Sequence, residues 1–527
     1  MKKPQYFKEK YDVIVIGASL SGLTSAIQLA KSGKSVLVLE QHNLPGGCAA
    51  SYVRGEVEFE ASLHEMNGIG SETFPLYIRK EFMDMGVDID FIRVPDAFNL
   101  VTPKIDITLH GGIDGDYSVP AKEIARYCGE NEENGPIFKE LMRFFKDCLS
   151  IYNSSNEIAK KPKNLLKTVK EDIELVRAAG YSTKEVLDSY KIPQTAKDIL
   201  SGYWLYLGSP VEDLPFNIYS FIIADYLGYG AYIPRHTSYE MALTLNERAE
   251  ELGAQVEYGQ RVDKILVKDK KAYGVALKRG DIILADYVVC CAYPDAVYSK
   301  MIEPKSEVPS KAFKSVNSKE IGVSCFSVVL LLDKPYQEFN IKNYSTFYSP
   351  EDLDFHTIWE AGFTEGPYKF ITSVCHNVAI PDISPKGTCI YSMTYLPMPK
   401  AFFGVNEENY EEIKYKNAMY FIEQESKRLG VNLKDHIKEI IIETPISIAH
   451  YIGAYQGCIY GYRHTMENSV VARSMVEAKE FYIKNLYFAG AHQLNGDGMA
   501  PAILHGLIAA RNIEKDIKSH TKKKTKQ

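Results

Sequence analysis

A glycine-rich turn at residues 17–22, with the sequence GASLSG, carries the first chemical signal in this chain. It directly follows an apolar run, Val13 to Ile16, that suits a buried parallel strand. Gly17 allows a tight strand-to-helix turn, and Gly22 allows the helix to lie close to the strand, so that free N–H groups at the helix N-terminus face a pyrophosphate. Ser19 takes the place of the usual middle glycine and is the mildest replacement for it. The turn therefore predicts a dinucleotide-binding site.

A carboxylate follows this turn at the distance expected for a ribose contact. The sequence predicts a helix over Leu23 to Ser32 and a second strand over Val36 to Leu39, and Glu40 closes that strand 23 positions after Gly17. In a βαβ unit, a carboxylate at this position accepts hydrogen bonds from the adenosine ribose, and its negative charge rejects a 2′-phosphate. The alternative is an ordinary βαβ turn that binds no ligand.

Two further glycine-rich stretches lie far apart in the sequence. NLPGG at residues 43–47 is followed by Cys48, and two adjacent glycines let the backbone run beside a flat ligand. Near the C-terminus, a short apolar strand leads into Gly490 and Gly498, and an apolar helix starts at about Met499. The N-terminus of that helix is again suited to an anion or a carbonyl group.

Several motifs together resemble a known family. NLPGG is followed by Gly55 and by the pair Phe59 and Glu60, RVDKI lies at residues 261–265, and a buried strand closes with VVCCAYP at residues 288–294. With the last glycine-rich motif, these are similar to the phytoene desaturase, carotenoid isomerase and retinol saturase family of FAD-dependent oxidoreductases, within the amine-oxidase-like flavoproteins. The resemblance covers nearly the whole chain, and its motifs come in the expected order.

The chain departs from the family pattern in three places. Ser19 replaces a glycine, Glu60-Ala61-Ser62 stands where the family has Asp-x-Gly, and Ala491 follows the segment FAG where many flavoproteins have Asp. These differences bear on the branch of the family more than on the cofactor.

The resemblance implies one bound FAD. Val262 is expected to lay its backbone on the adenine, Asp497 to replace the missing aspartate near the ribitol, and the amides around Met499 to face the N1 and O2 side of the isoalloxazine. The full set of expected FAD contacts is Gly17, Ser19, Leu20, Ser21, Gly22, Glu40, Gln41, Gly46, Gly47, Cys48, Val262, Gly490, Asp497, Gly498 and Met499.

Candidate acid–base residues lie beside these motifs. His64 with Glu65, and His492, are the main candidates, and Tyr460 and Arg463 are weaker ones. For each histidine the alternative is a buried, hydrogen-bonded structural residue. Cys48 is a conceivable nucleophile, although a small side chain packed beside the flavin ring is the stronger interpretation. The nine cysteines show no CxxC spacing, so neither a metal site nor a disulfide framework is expected.

The expected fold class is α/β, with a discontinuous Rossmann-like FAD-binding domain, a mixed-sheet substrate domain and a helical cap. The FAD domain is assigned residues 1–75, 222–300 and 455–520. The helical substrate or cap region is assigned residues 76–221, and the β-rich substrate domain residues 301–454. Residues 521–527 form a basic tail. No second βαβ unit with its own GxGxxG is visible, which argues against a reductase with two dinucleotide sites.

The stretch from Thr73 to about Asp225 is interpreted as helices with polar joints. Within and beyond it, residues 201–234 are dense in aromatic and aliphatic side chains. They are interpreted as core, as the wall of a substrate tunnel, or as an apolar surface helix that rests in a lipid interface.

Length and composition are those of a large globular enzyme. The 527 residues are 45% hydrophobic and 24% charged, with a net charge of −7, which argues against a nucleic-acid partner. No run of about 18 apolar residues is present, so no membrane-spanning helix is expected. The predicted location is cytoplasmic, with peripheral contact to a membrane left open through the aromatic stretch and the basic tail.

Four functions are consistent with the sequence. The first is desaturation or saturation of carbon–carbon bonds in a long apolar unsaturated substrate such as a carotenoid, a retinoid or another lipid, taken from a membrane or a carrier. The second is double-bond isomerisation without net redox change. The third is a non-catalytic escort protein for prenylated proteins, against which the intact glycine motifs argue, and an amine oxidase is a minor fourth.

Overall fold

A computed structural model describes residues 7–61, 64–160, 178, 180–352, 354–468, 482–493 and 496–524, without the side chains of 155–160 and 521–524. Two large sheets dominate it. The predicted basic tail lies outside the described side chains.

The first sheet is the Rossmann-like sheet, and its strands come from three separate parts of the chain. They are β1 (Lys10–Ile16), β2 (Val36–Leu39), β9 (Gln255–Glu257), β10 (Val262–Lys268), β11 (Lys271–Leu277), β12 (Ile282–Cys290), β13 (Ile302–Glu303) and β19 (Leu486–Phe488). The order is β13-β10-β11-β12-β1-β2-β9, with β19 added beside β12. The pairs around β1 are parallel. The predicted discontinuous FAD-type fold is therefore confirmed.

The second sheet faces the first across the molecule's main cavity and has seven strands. They are β6 (Phe98–Val101), β7 (Asp106–Leu109), β14 (Phe326–Leu332), β15 (Ser345–Tyr348), β16 (Ile371–Cys375), β17 (Cys389–Tyr395) and β18 (Ile437–Glu443). The order is β18-β14-β17-β16-β15-β6-β7. Two small ribbons complete the described strands, β3 (Tyr52–Arg54) with β4 (Val57–Phe59) and β5 (Phe91–Arg93) with β8 (Tyr232–Pro234).

The helices cover the sheets and build the cap. They are α1 (Leu20–Lys31), α2 (Tyr77–Met85), α3 (Ser118–Tyr127), α4 (Pro136–Lys160), α5 (Thr183–Ser189), α6 (Gln194–Ser201), α7 (Phe216–Ile222), α8 (Thr237–Glu251), α9 (Ser310–Asn317), α10 (Phe355–Ala361), α11 (His376–Ala379), α12 (Tyr410–Leu429), α13 (Pro445–Tyr451) and α14 (Met499–Lys524). A π-helical turn, Ile223–Leu227, continues α7.

Helix α1 begins three residues earlier than the sequence predicted. It starts at Leu20 instead of Leu23, because Ser19 has extended backbone geometry and its side chain accepts a hydrogen bond from the Gly22 N–H. A serine in this role is an N-cap, which stabilises the first turn of a helix. The replacement of the middle glycine is therefore used as a helix cap.

Helix α1 also packs unusually close to the C-terminal helix α14. Thr24 Oγ1 donates to the Ile503 carbonyl at 3.0 Å, and Ser25 Oγ donates to the Gly506 carbonyl at 2.8 Å. A Cβ atom on Gly506 would lie 2.1 Å from the Ser21 carbonyl oxygen. The first and last flavin-type motifs are therefore fixed against each other by direct helix contact.

The interpretation of Thr73 to Asp225 as helices was wrong for residues 91–109. This segment forms β5, β6 and β7, and β6 adds to the second sheet beside β15 in parallel. The error has a physical cause, since these strands are three or four residues long and are stabilised by pairing with residues distant in sequence.

Residues 201–234 are mostly buried, so their interpretation as an apolar surface helix was wrong. Trp204 and Tyr219 belong to the core of the second sheet and its covering helices, whereas Tyr206, Phe221 and Tyr226 line the main cavity. The stretch is therefore both core and cavity wall. Among the described residues, no helix is at once long and apolar enough to cross a membrane.

Candidate active site

One large cavity, about 2880 Å³ in volume, runs between the glycine-rich loops of the first sheet and the second sheet. Its volume is about three times the upper end of the range for typical small-molecule pockets. Except for Gly22, every residue predicted to bind FAD lines it, as do His64, Glu65 and His492. The structure thus brings the predicted site residues together, while their individual roles remain predictions.

The first glycine turn is held by very close backbone contacts. Gly17 has φ +101°, which favours glycine, and a Cβ on Gly22 would lie 2.0 Å from the Gly17 carbonyl oxygen. Gly22 therefore lies beneath the turn and lets α1 approach β1, as the sequence predicted. The turn itself, with Ser19 and Leu20, faces the cavity.

Glu40 lies at the end of β2 beside this turn. Its Oε2 accepts a hydrogen bond from the Ala18 N–H at 2.7 Å, and its Oε1 accepts one from the His42 N–H at 2.8 Å. The carboxylate is thus oriented by two backbone amides and still lines the cavity. This is the position predicted for a ribose contact.

The second glycine loop is pressed against the first. Gly46 has φ +113° and its N–H donates to the Ala18 carbonyl at 2.8 Å. A Cβ on Gly47 would lie 3.3 Å from the Ser19 Cβ. The two loops therefore form one cradle, which side chains larger than those present would fill.

The C-terminal motif approaches the same cavity. Gly490 and Gly498 have φ values of +140° and +99°, and α14 begins directly afterwards at Met499. Asp497 forms a buried 2.6 Å ion pair or hydrogen bond with His464 Nε2. Asp497, the predicted ribitol contact, therefore has a histidine partner. The sequence interpretation missed His464, although this residue directly follows the Gly- and Tyr-rich loop at 456–463.

His64 is a neutral imidazole in the cavity wall. Its Nε2 lies 3.4 Å from Thr394 Oγ1, and the Tyr344 hydroxyl donates to its backbone carbonyl. Desolvation, helped by the nearby His376, lowers the pKa of His64 to about 4. At neutral pH His64 therefore accepts or donates hydrogen bonds without carrying a charge.

Glu65 is a buried carboxylic acid. Desolvation raises its pKa well above the usual range, Asp96 adds to the rise, and the Tyr206 hydroxyl partly opposes it. Neither carboxyl oxygen forms a well-aligned hydrogen bond with the described residues. Burial therefore favours the protonated form of Glu65.

The other candidates differ in their position. His492 is buried, with its ring centroid 5.3 Å from that of Tyr293, and Tyr460 lines the cavity. Arg463 forms ion pairs with Asp213 and Glu320 away from the cavity wall. The arrangement of Arg463 is that of a structural residue.

Cys48 lines the cavity directly after the double glycine. Desolvation, together with the nearby Glu443 charge, raises the pKa of its thiol to about 11. Because the thiolate is the nucleophilic form of cysteine, the raised pKa argues against a nucleophilic role for Cys48.

A line of polar side chains crosses the cavity face of the second sheet. The line consists of Thr372 on β16, Thr394 on β17, Ser327 on β14 and Glu443 on β18. Each residue pairs in register with the next, and all four line the cavity. Ser327 Oγ and Thr394 Oγ1 are 3.0 Å apart. With strands about 4.8 Å apart, the line extends about 14 Å. The sequence interpretation missed these residues, although polar side chains at alternate positions in CIYSMTYLP signal a polar strand face.

The comparisons with known proteins agree with this geometry. Residues 20–358 match the family model described as flavin-containing amine oxidoreductase. The chain belongs to this family. The protein is thus a FAD-dependent oxidoreductase, and the resemblance inferred from its sequence is confirmed.

Relatives within this family align over nearly the whole chain. Prolycopene isomerase 1 of an Oncidium hybrid cultivar is 25% identical, covering 97% of this chain and 84% of its own. All-trans-retinol 13,14-reductase of Danio rerio is 23% identical, covering 92% and 82%. The 4,4'-diapolycopene oxygenase of a Methylomonas species is also 23% identical, covering 96% and 98%.

Solved structures share the fold of this family. An oxidoreductase from Methanosarcina mazei has a TM-score of 0.59 at 15% identity, covering 94% of this chain and 99% of its own. A putrescine oxidase structure has a TM-score of 0.63 at 14% identity, covering 96% and 99%.

The residues present fit FAD, the cofactor of this family. One cavity borders three features suited to FAD: the cradle of Gly46 and Gly47 against Ser19, the oriented Glu40 carboxylate and the N-terminus of α1. This cavity is large enough for a dinucleotide and a second molecule. The glycine loops would hold the pyrophosphate and Glu40 the ribose. Among the described residues, no group of three or more His, Cys, Asp or Glu side chains is placed to hold a metal ion.

Proposed function

We propose that this oxidoreductase changes the oxidation state of carbon–carbon bonds in a long, apolar, unsaturated small molecule such as a carotenoid, a retinoid or another lipid. FAD, when bound, supplies exchange of a hydride with substrate carbon. The protein positions the two reactants in one cavity, excludes water and handles the accompanying proton.

The observation that carries this proposal is the continuity of the cavity. The same 2880 Å³ space that borders the glycine loops also reaches Leu205, Leu207, Ile218 and Phe221 in the cap. A pocket for a small polar amine needs only a compact volume with a few convergent polar groups. A long apolar wall beside the flavin-type loops is instead suited to an extended hydrocarbon chain.

The protonation state of the cavity wall supports the same substrate class. Burial raises the pKa of Glu65 and lowers that of His64, so it favours the uncharged form of each. Neutral groups bind a substrate ammonium poorly, because a buried cation needs a charged partner. This part of the wall therefore suits an uncharged substrate, whereas the carboxyl groups of Glu60 and Glu443 lie elsewhere in the cavity lining.

Apolar side chains at the edge of the cavity support entry of such a substrate from a membrane or a carrier. Val53 on β3 is 60% exposed and Tyr451 on α13 is 67% exposed, and both line the cavity. Peripheral contact with a membrane through this edge is part of the proposal. The cytoplasmic location remains a prediction.

The relatives favour one second candidate. Prolycopene isomerase 1 is 25% identical to this chain, as close as the relatives whose names describe reduction or oxygenation. Isomerisation of a double bond without net redox change therefore stays as the alternative proposal, and it would use the same cavity.

The test is an anaerobic incubation of the FAD-loaded protein, first oxidised and then pre-reduced, with polyenes, retinoids and unsaturated fatty acids. Flavin absorbance and product mass are followed together. We expect a mass change of two hydrogens that accompanies bleaching or reoxidation of the flavin. A product of unchanged mass, formed only with reduced flavin, would select the isomerase instead.

Matched controls make the result specific. Putrescine and other small amines are tested under the same conditions, and saturated analogues of each lipid control for binding without reaction. Bleaching by an amine, with every lipid inert, would overturn the proposed substrate class.

A further inference from the structure

Glu443 is the last residue of β18 and lies on the cavity face of the second sheet. It is the direct register partner of Ser327 on β14, which in turn pairs with Thr394 on β17. Glu443 is only partly buried, and its accessible surface lines the cavity. It therefore ends the polar line described above, at the edge strand of the sheet.

Groups from four other segments face Glu443. Cys48 follows the double-glycine loop, Tyr52 lies on β3, Glu60 follows β4, and Cys325 precedes β14. Each of them interacts electrostatically with Glu443. Since Cys48 belongs to a predicted flavin-binding loop and Ser327 to the substrate sheet, Glu443 lies where the two halves of the cavity meet.

This setting leaves Glu443 able to exchange a proton. Desolvation raises its pKa to about 7, the Tyr52 hydroxyl opposes the rise, and the Glu60 charge adds to it. Glu60 is itself fixed, because its two oxygens accept hydrogen bonds from the Ser238 N–H at 2.6 Å and from Ser238 Oγ at 2.7 Å. A group with a pKa near the working pH is populated in both protonation states.

The two other acid–base candidates in this wall are less suited to that task. His64 has a pKa of about 4, so it is neutral at pH 7 and a weak base. Burial favours the protonated form of Glu65, and both of its oxygens are enclosed by protein. Glu443 combines accessible surface in the cavity with a position beside the flavin-type loop.

We propose that Glu443 is the acid–base residue that exchanges a proton with the substrate carbon, a role that rests on the proposed carbon–carbon redox function. In a desaturation, one carbon gives up a hydride to FAD, which is the oxidant and gains two electrons. The neighbouring carbon loses its proton to the Glu443 carboxylate, and the electrons of that C–H bond become the new π bond. In a saturation, reduced flavin would supply a hydride to one carbon, and the same carboxylic acid would give its proton to the neighbouring carbon.

The first test measures flavin reduction by substrate against pH in an anaerobic stopped-flow instrument. In the wild type, the rate of desaturation should rise with pH through about 7, because the carboxylate is the base. Glu443→Gln should lower the rate at pH 8 by about 10²- to 10⁴-fold and remove that pH dependence. Glu443→Asp should retain the pH dependence at a reduced rate.

Glu439→Gln is the matched control. Glu439 lies on the same strand, four residues earlier, where it pairs with Leu331 outside the cavity lining. This variant should keep the wild-type rate and pH profile. Glu443→Gln with an unchanged rate and profile would overturn the proposal.

A second readout does not depend on turnover. Infrared difference spectra of the substrate-free, FAD-loaded protein between pH 5.5 and 8.5 should show loss of a protonated carboxyl signal with a midpoint near 7. Buried Asp225, whose pKa desolvation also raises to about 7, contributes a second signal in every variant. The Glu443 contribution should therefore be lost from the wild-type signal in Glu443→Gln and kept in Glu439→Gln. An undiminished signal in Glu443→Gln would overturn the assignment.

The two measurements separate the inference from the function on which it rests. If every lipid is inert while an amine bleaches the flavin, the proposed function fails and the role of Glu443 toward a lipid carbon fails with it, although the infrared midpoint stays. If lipids react with wild-type kinetics in Glu443→Gln, the proposed function stands and only the role of Glu443 is wrong.

Discussion

The two halves of the cavity are built from different parts of the polypeptide. On the side of the first sheet, the wall consists of backbone: two glycine loops in close contact, the N-terminus of α1 and a carboxylate oriented by two amides. On the side of the second sheet, the wall consists of side chains: a line of hydroxyl groups, two imidazoles and buried acids.

This difference has a consequence for how each half responds to change. A Cβ added to Gly22 or to Gly47 would lie only 2.0 or 3.3 Å from the neighbouring loop, so the cofactor half is sensitive to volume. The side chains of the substrate half are tuned by burial, which shifts the pKa of His64 down and those of Glu65 and Glu443 up. That half is therefore sensitive to charge and hydrogen bonding.

The largest effect is expected at Gly22, where volume decides. Gly22→Val places a side chain 2.0 Å from the Gly17 carbonyl oxygen, so the turn must move away from α1. We expect loss of bound FAD and a loss of more than about 3 kcal/mol in the free energy of unfolding. Flavin content and thermal unfolding measure both. Gly404→Ala is the control, because a Cβ there meets nothing within 4 Å.

The next effect concerns Glu40, the side chain on which the cofactor half depends. Glu40→Ala removes the acceptor for the Ala18 and His42 amides and the predicted ribose contact. FAD affinity should fall about 10- to 100-fold while the fold survives, since a hydrogen bond to a charged group contributes about 1.5–3 kcal/mol. Titration of the apoprotein with FAD measures it. Glu40→Gln should be intermediate, and unchanged affinity in Glu40→Ala would exclude Glu40 from the site.

A third prediction uses the pH dependence of stability to test the substrate half. The folded-state pKa of Glu443, about 7, is above its ordinary value of 4.5, so the unfolded chain releases this proton first as the pH rises. The stability contributed by the protonated group is full below pH 4.5 and is lost as the pH rises through 7. Glu443→Gln should not show this loss of stability, because glutamine does not titrate.

The advantage of Glu443→Gln over the wild type in free energy of unfolding should therefore grow by about 2 kcal/mol between pH 5 and pH 8. Denaturant titrations at both pH values measure it, with Glu439→Gln as the control. A constant difference between the two pH values would contradict the raised pKa.

The smallest effect is expected from a single hydroxyl of the polar line. Thr394→Val keeps the shape of the side chain but removes the contacts of Thr394 with Ser327 Oγ and His64 Nε2. We expect kcat/KM to fall about 3- to 10-fold, as for one neutral hydrogen bond, with unchanged FAD content. Ser373→Ala is the control, because the Ser373 hydroxyl donates to the Thr346 carbonyl and the residue is outside the cavity lining. A loss of FAD in Thr394→Val would show that the two halves are coupled.

The sequence by itself determined the cofactor half. The turn at 17–22, Glu40 and the double glycine at 46–47 were recognisable because each depends on the conformation of a few consecutive residues. The start of a helix was predicted correctly where a local signal exists, as for the helix that begins at Met499. The start of α1 was missed only because a serine cap stood in the place of a glycine.

The tertiary structure decided the substrate half. Thr394 and Glu443 lie 67 and 116 positions after Ser327 in the sequence. Only the register of the second sheet places the three residues in one line. The pairing of His464 with Asp497 and the addition of β6 to that sheet depend likewise on contacts between distant segments. The physical reason is that sheet register and burial are set by the whole packed core, and burial in turn sets which acids and imidazoles carry a charge.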